Sequence, residues 1–112
     1  MMFSGEGYYV GSLDAYGKRV RRGRLLARGN GVWQIDDDSL RYRRFLTKQP
    51  IVIRRDAIID IRQGGSWFAG RWVGRRRFTE IRWASEQGEI TSGFVFGRTP
   101  KDTARVITAL GR

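Results

Sequence analysis

Pro50–Ile61 reads PIVIRRDAIIDI, an apolar ribbon of mostly β-branched residues broken by one charged corner. Ile51 and Ile53 lie two apart, the repeat of an extended chain, so they share one face of a strand. Arg54, Arg55 and Asp56 make the corner. Beyond it Ala57, Ile59 and Ile61 alternate with Ile58, Asp60 and Arg62, a second strand with one wet face. Side chains of this kind fit a pleated, half-buried surface and resist a helix. The rest of the chain is best read as what must be assembled around this stretch and the run 64–77 that follows it.

Further short strands flank it. Leu25 and Leu26 begin one, and Gly29-Asn30-Gly31 has the composition of a tight turn into Val32–Asp36. In that second strand Val32 and Gln34 oppose Trp33 and Ile35. Asp36-Asp37-Asp38-Ser39 reads as a turn, because an Asp side chain bonds its own backbone. It lacks the spaced ligands, central Gly and distal Glu of a calcium loop. Leu40–Leu46 follows, with Leu40 and Tyr42 on one face, Arg41 and Arg43 on the other, and Arg44-Phe45 breaking the alternation unless a bulge intervenes. Phe78–Ala84 places Thr79, Ile81 and Trp83 inward. After a turn at Glu86-Gln87-Gly88, Glu89–Phe96 aligns Ile90, Ser92, Phe94 and Phe96, with Gly93 where a large side chain or a backbone can come close.

One helix closes the series. Thr99 suits the cap, Pro100 the first position and Asp102 the third, while Thr103, Val106, Ile107 and Leu110 form an apolar stripe that Gly111 ends. That stripe must be buried, and the sheet is the surface that can bury it. The N-terminus reads differently. Met1–Gly7 looks frayed, and Tyr9, Leu13, Tyr16 and Val20 fall at helical spacing. Gly11 and Gly17 each weaken that helix by roughly 1 kcal/mol, so extended structure turning at the glycines competes with it. The division expected is an extension over residues 1–22, carrying a short helix if any, and one domain over 23–112.

The 112 residues include no Cys and no His, which removes disulfides, thiolate and imidazole metal sites, cysteine nucleophiles and Ser-His-Asp catalysis. Glu80, Glu86 and Glu89 have no spacing of a catalytic pair, and Gly64-Gly65 and Gly70 precede no helix that could cradle phosphate. The expectation is a protein that is not an enzyme and holds neither cofactor nor metal. Nothing resembles a signal peptide or a membrane span, so a cytoplasmic protein is expected, with a peripheral membrane association left open. The formal charge of +11 favours anionic partners, though Arg supplies nearly all of the cations, as a GC-rich genome would by itself.

Gly31-Val32-Trp33 leading into Asp36–Leu40, then Pro50–Ile58 and Ile61, resembles the strand-turn-strand phrase of bacterial pleckstrin-homology-like (PH-like) and GRAM-like domains. Arg54 stands where the GRAM phrase often carries proline. The resemblance covers Gly23–Leu110. It implies a mainly β fold, a curled antiparallel sheet or partly open barrel of about seven strands with the C-terminal helix plugging one end. It also implies a binding or scaffolding role, toward phosphoinositides, peptides or neighbouring subunits. Lipid-binding members carry a basic loop between their first two strands. The loop that the sequence suggests for that place, Arg28-Gly29-Asn30-Gly31, is short and poor in cations. SH3-like and OB-like barrels are the alternative folds.

Three groups of residues are candidate sites. In Gly64–Arg77, Trp67, Phe68 and Trp72 stand among Arg71, Arg75, Arg76 and Arg77. Aromatic rings beside guanidinium groups insert into membrane interfaces, fill a partner's pocket or stack on bases. The competing account folds the tryptophans back onto the barrel and leaves the arginines solvated. A basic segment, Lys18, Arg19, Arg21, Arg22 and Arg24, could face an acidic surface or be a solvated linker. Arg41 and Arg43 with Arg54 and Arg55 could form a stripe across the sheet, or pair with Asp56 and Asp60. The expected partner is an anionic membrane surface or a protein, with nucleic acid and a homo-oligomer as further readings.

Overall fold

The computed structural model describes residues 3–20, 25, 28–45, 50–65, 67–72, 78–97 and 100–110. A twelve-residue strand, β1 (Phe3–Asp14), runs through the middle of the sheet. It pairs antiparallel with β2 (Gly29–Ile35) on one side and with β9 (Gly88–Phe96) on the other. Outward from β2 come β3 (Ser39–Arg44) and β4 (Ile51–Arg54). Outward from β9 come β8 (Thr79–Ser85) and β5 (Ile58–Gln63). The order β4-β3-β2-β1-β9-β8-β5 makes a nearly closed seven-stranded antiparallel barrel. Its edge strands β4 and β5 are joined by a single 3-10 turn, Arg55–Ala57, the corner expected from the charged break in the ribbon. One helix, α1 (Pro100–Ala109), follows β9.

The N-terminal segment differs from the expectation. Residues from Phe3 onward are strand, not frayed chain or helix, and β1 is integral to the sheet rather than part of an extension ahead of residue 23. A bulge interrupts the alternation of this strand. The register slips between Tyr9 and Gly11, so Val10 and Gly11 both leave the barrel interior and Ser12 returns to it. The four apolar residues at helical spacing therefore share no face. Tyr9 and Val20 reach the main core, Leu13 packs on the outer face, and Tyr16 stands in solvent.

Gly29-Asn30-Gly31 is not a turn either. All three residues lie in β2, opposite Tyr9, Tyr8 and Gly7. Gly31 is needed for contact rather than for a turn, since a Cβ there would stand 2.2 Å from the Arg43 carbonyl oxygen. Leu25 is buried in the core but lies outside the named strands, and Leu26 falls outside the described residues. In β5 a bulge between Ile58 and Asp60 breaks the simple alternation. Ile58 is in the core, Ile59 is exposed and Ile61 is half-buried.

Elsewhere the alternation holds. Trp33, Ile35, Leu40, Tyr42, Ile51, Ile53, Ile81, Trp83, Ile90, Phe94 and Phe96 share the interior, where Phe94 lies against Tyr9 and Tyr42. Val106 and Leu110 of the C-terminal stripe join them, each contributing about 1.5–3 kcal/mol by leaving water. Thr99 and Gly111, assigned to the two ends of the helix, lie outside the described residues. Arg55 donates from its guanidinium to the Ala109 carbonyl, setting a cation at the helix C-terminus, where the backbone dipole favours one.

A polar relay crosses this apolar interior. Tyr9 donates to the Leu25 carbonyl (2.9 Å), so its single proton is spent there. The Ser12 hydroxyl must then donate to Tyr9 (2.6 Å), and Ser92 to Ser12 (2.6 Å), while Trp83 Nε1 donates to Ser92 (3.0 Å). Four strand side chains are thereby satisfied in sequence, which is what burying them requires.

Candidate functional site

The run 64–77 carries a small hairpin, β6 (Trp67–Phe68) and β7 (Arg71–Trp72), with Trp67 opposite Trp72 and Phe68 opposite Arg71. Its turn residues Ala69 and Gly70 both have positive φ, 50° and 79°. A two-residue turn of that hand matches strand twist and favours Asn-Gly. Ala in its first position costs about 1–2 kcal/mol, because Cβ crowds the following carbonyl. Contacts outside the hairpin must offset this.

Those contacts are on the outer face of the barrel. Successive strand residues face opposite ways, so Phe68 and Trp67 are divided. Phe68 is buried with Val10, Phe78 and Val95 in a second apolar cluster, and Trp67 remains 66% exposed. The Phe68 ring occupies the space that a side chain at Gly93 would need. A Cβ there would stand 2.6 Å from it, so Gly93 is the point of close approach expected from the sequence. Arg28 donates to the Ala69 carbonyl, and the Ala69 methyl lies 3.4 Å from where Gly11 would carry a Cβ. Phe68 is thus the residue folded back as a cover, while Trp67 projects.

Cations gather beside this hairpin. The Nε atoms of Arg28 and Arg19 lie 3.7 and 3.9 Å from that same Gly11 position. Burial pushes the Tyr9 hydroxyl up to about 12, against the opposing pull of its bond with Ser12 and of the charges on Arg19, Arg28 and Arg44. Lys18 is exposed on the turn that ends β1, where the Asp14 carboxylate accepts from the backbone N–H of Tyr16 and Lys18 at 2.9 Å. Tyr16, at the tip, is 89% exposed. Arg21, Arg22 and Arg24 lie outside the described residues, as do Arg75, Arg76 and Arg77; Arg71 and Trp72 are placed by backbone alone.

The first two strands are Phe3–Asp14 and Gly29–Ile35, so their connection is the segment 15–28, not 28–31. It contains Lys18, Arg19, Arg21, Arg22, Arg24 and Arg28.

The proposed stripe on β3 and β4 divides. Arg41 and Arg43 are exposed, whereas Arg54 is paired with Asp56 at 3.0 Å and Arg55 turns to the helix end. Asp60 pairs with Arg62 instead. The Asp36 carboxylate accepts from the backbone N–H of Asp38 and Ser39, which hold it below the usual carboxylate range. It serves the turn.

A groove elsewhere on the barrel has no counterpart in the sequence reading. Between α1 and the beginnings of β1 and β2 lies a groove of about 720 Å³, lined by Phe3, Gly5, Trp33, Phe45, Asp102 and Val106 among others. Trp33 donates from Nε1 to the Glu6 carbonyl (3.1 Å) and spreads over Gly5, where a Cβ would stand 2.8 Å from its ring. Glycines at positions 5, 7 and 31 were the signal available, since glycine within a strand marks close approach. Among the described residues no cluster of acidic side chains is arranged to hold a metal ion. No protein-family model matches this chain, and no curated protein matches it.

Proposed function

We propose that this protein is a non-enzymatic binding module of PH-like type that docks on an anionic membrane surface through its hairpin end. The observation that carries the reading is the division of the hairpin, with Phe68 anchored on Gly93 and Trp67 held out in water. A tryptophan fixed in that position suits the bilayer interface, where an amphipathic ring is stable. Tyr16 and Lys18 extend from the same end of β1, and Arg19 and Arg28 lie beside Gly11. Each cation near an acidic leaflet contributes about 1 kcal/mol. The PH-like assignment is supported by the strand order, in which the first strand pairs with the last and one C-terminal helix follows. The six cations of segment 15–28 occupy the connection that is basic in lipid-binding members of that family. No helix of the described residues is long and apolar enough to cross a membrane, so the proposed association is peripheral.

The test is co-sedimentation with vesicles of phosphatidylcholine alone and with phosphatidylserine or phosphoinositide added. Binding is expected only to the anionic vesicles, and Trp67→Ala should weaken it about tenfold or more, on the scale of an anchoring aromatic. Equal affinity for neutral vesicles, or none for anionic ones, would reject the reading. Affinity for oligonucleotides that falls steeply with log salt would favour the nucleic-acid alternative instead.

A further inference from the structure

The cations at the hairpin end differ in what their side chains touch, and Arg28 stands apart. Its guanidinium is bonded to the carbonyl of Ala69, the first central residue of the hairpin turn. Ala69 is the one non-glycine with positive φ among the described residues. Non-glycine residues persist in that conformation only where surrounding contacts over-determine it. Here three contacts do so. Phe68 is seated on Gly93, the bare backbone of Gly11 admits the Ala69 methyl, and Arg28 holds the Ala69 carbonyl. The first two seat the hairpin on the barrel through side chains. The third fixes the peptide that sets the turn, and Trp67 lies two residues before that peptide.

We propose that Arg28 is a positioning residue, which aims Trp67 by holding the Ala69 carbonyl rather than by meeting the anionic surface itself. Without it, the Ala69 turn relaxes toward backbone that alanine prefers, and Trp67 loses its fixed direction while the barrel stays intact. The consequence for binding rests on the membrane reading above; the geometry does not. Glycine at position 69 adopts positive φ without strain, so it should make the turn independent of Arg28.

Two readouts separate the possibilities. In protein labelled with 5-fluorotryptophan, without vesicles and with Trp67 assigned through Trp67→Phe, Arg28→Gln should shift the Trp67 fluorine resonance. It should leave those of buried Trp33 and Trp83 in place. Arg28→Gln/Ala69→Gly should return the Trp67 resonance toward its original position. In the vesicle assay Arg28→Gln should weaken binding about fivefold, within the roughly tenfold that loss of the Trp67 anchor costs. The double variant should recover affinity to within about twofold, since the two sites then no longer couple. A Trp67 resonance untouched by Arg28→Gln would overturn the proposal. So would a double variant as weak as Arg28→Gln, which would make Arg28 a direct contact. If the resonances behave as expected but the unaltered protein binds no vesicle, the positioning role stands and the membrane reading falls.

Discussion

The two ends of β1 handle glycine in opposite ways. At its start, Gly5 and Gly7 bring backbone and the Trp33 ring together inside the fold's own wall, where a Cβ on Gly7 would stand 2.3 Å from the Val95 carbonyl. At its far end, Gly11 and its partner Gly93 leave outward gaps into which a separate hairpin is fitted, through Ala69 and Phe68. The first pair closes the barrel; the second attaches something to it. The charges divide as well, with Glu6, Asp102 and Arg105 around the helix-end groove and Arg19 and Arg28 beside the hairpin. An element attached from outside can present an exposed tryptophan without disturbing the interior, and this is why the hairpin is the better candidate for contact with a partner.

Gly7→Ala tests the contrast most severely. Its Cβ would meet a backbone oxygen that cannot move without breaking the β1–β9 ladder, so a loss of about 4 kcal/mol or more is expected by urea denaturation. A loss under about 1 kcal/mol would show that the start of β1 is as adaptable as its end. Phe68→Ala should cost about 3 kcal/mol and release the hairpin. The Trp33–Phe96 contact inside the barrel should survive, read from near-ultraviolet circular dichroism. If that signal collapses, the hairpin is part of the barrel and not an attachment to it.

The relay at Tyr9 gives a milder test, through pH. Its folded value, up to about 12, lies above the ordinary tyrosine value of 10. The group therefore contributes stability that is fully present below pH 10 and is lost as pH rises from 10 toward 12. Tyr42, bonded to the carbonyls of Gly7 and Gly29, is also raised, chiefly by burial, and acts in the same direction. Thermal melts should fall over that interval, and Tyr9→Phe should flatten the fall while lowering stability at neutral pH. A melt independent of pH up to 12 would place Tyr9 in contact with water. The Arg54–Asp56 pair should matter least, because both side chains are mostly in solvent. Asp56→Asn should leave the urea midpoint unchanged at neutral pH.

Much of the barrel was legible because its strands alternate cleanly. Thr79, Ile81 and Trp83 on one strand, and Leu40 against Arg41 on another, state their faces in the residues themselves. The corner at Arg54–Asp56 and the close approach at Gly93 could be read in the same way. The first strand could not. Its bulge at Val10-Gly11 shifts the alternation by one, and its glycines resemble loop until their neighbours are known. The candidate site was half legible for a related reason. Trp67 and Phe68 are adjacent in sequence and chemically alike, and what divides them is a gap at Gly93, twenty-five residues away along the chain.

The sequence by itself determined the class of fold, the inward faces of most strands and the single C-terminal helix, since alternation and helix-start chemistry are local properties. Tertiary structure alone decided that residues 3–14 form the central strand, that the basic segment joins the first two strands, and that Trp67 rather than Phe68 meets solvent. Those outcomes depend on pairing between distant segments and on where a missing side chain leaves room, and neither quantity is written in any one stretch of the chain.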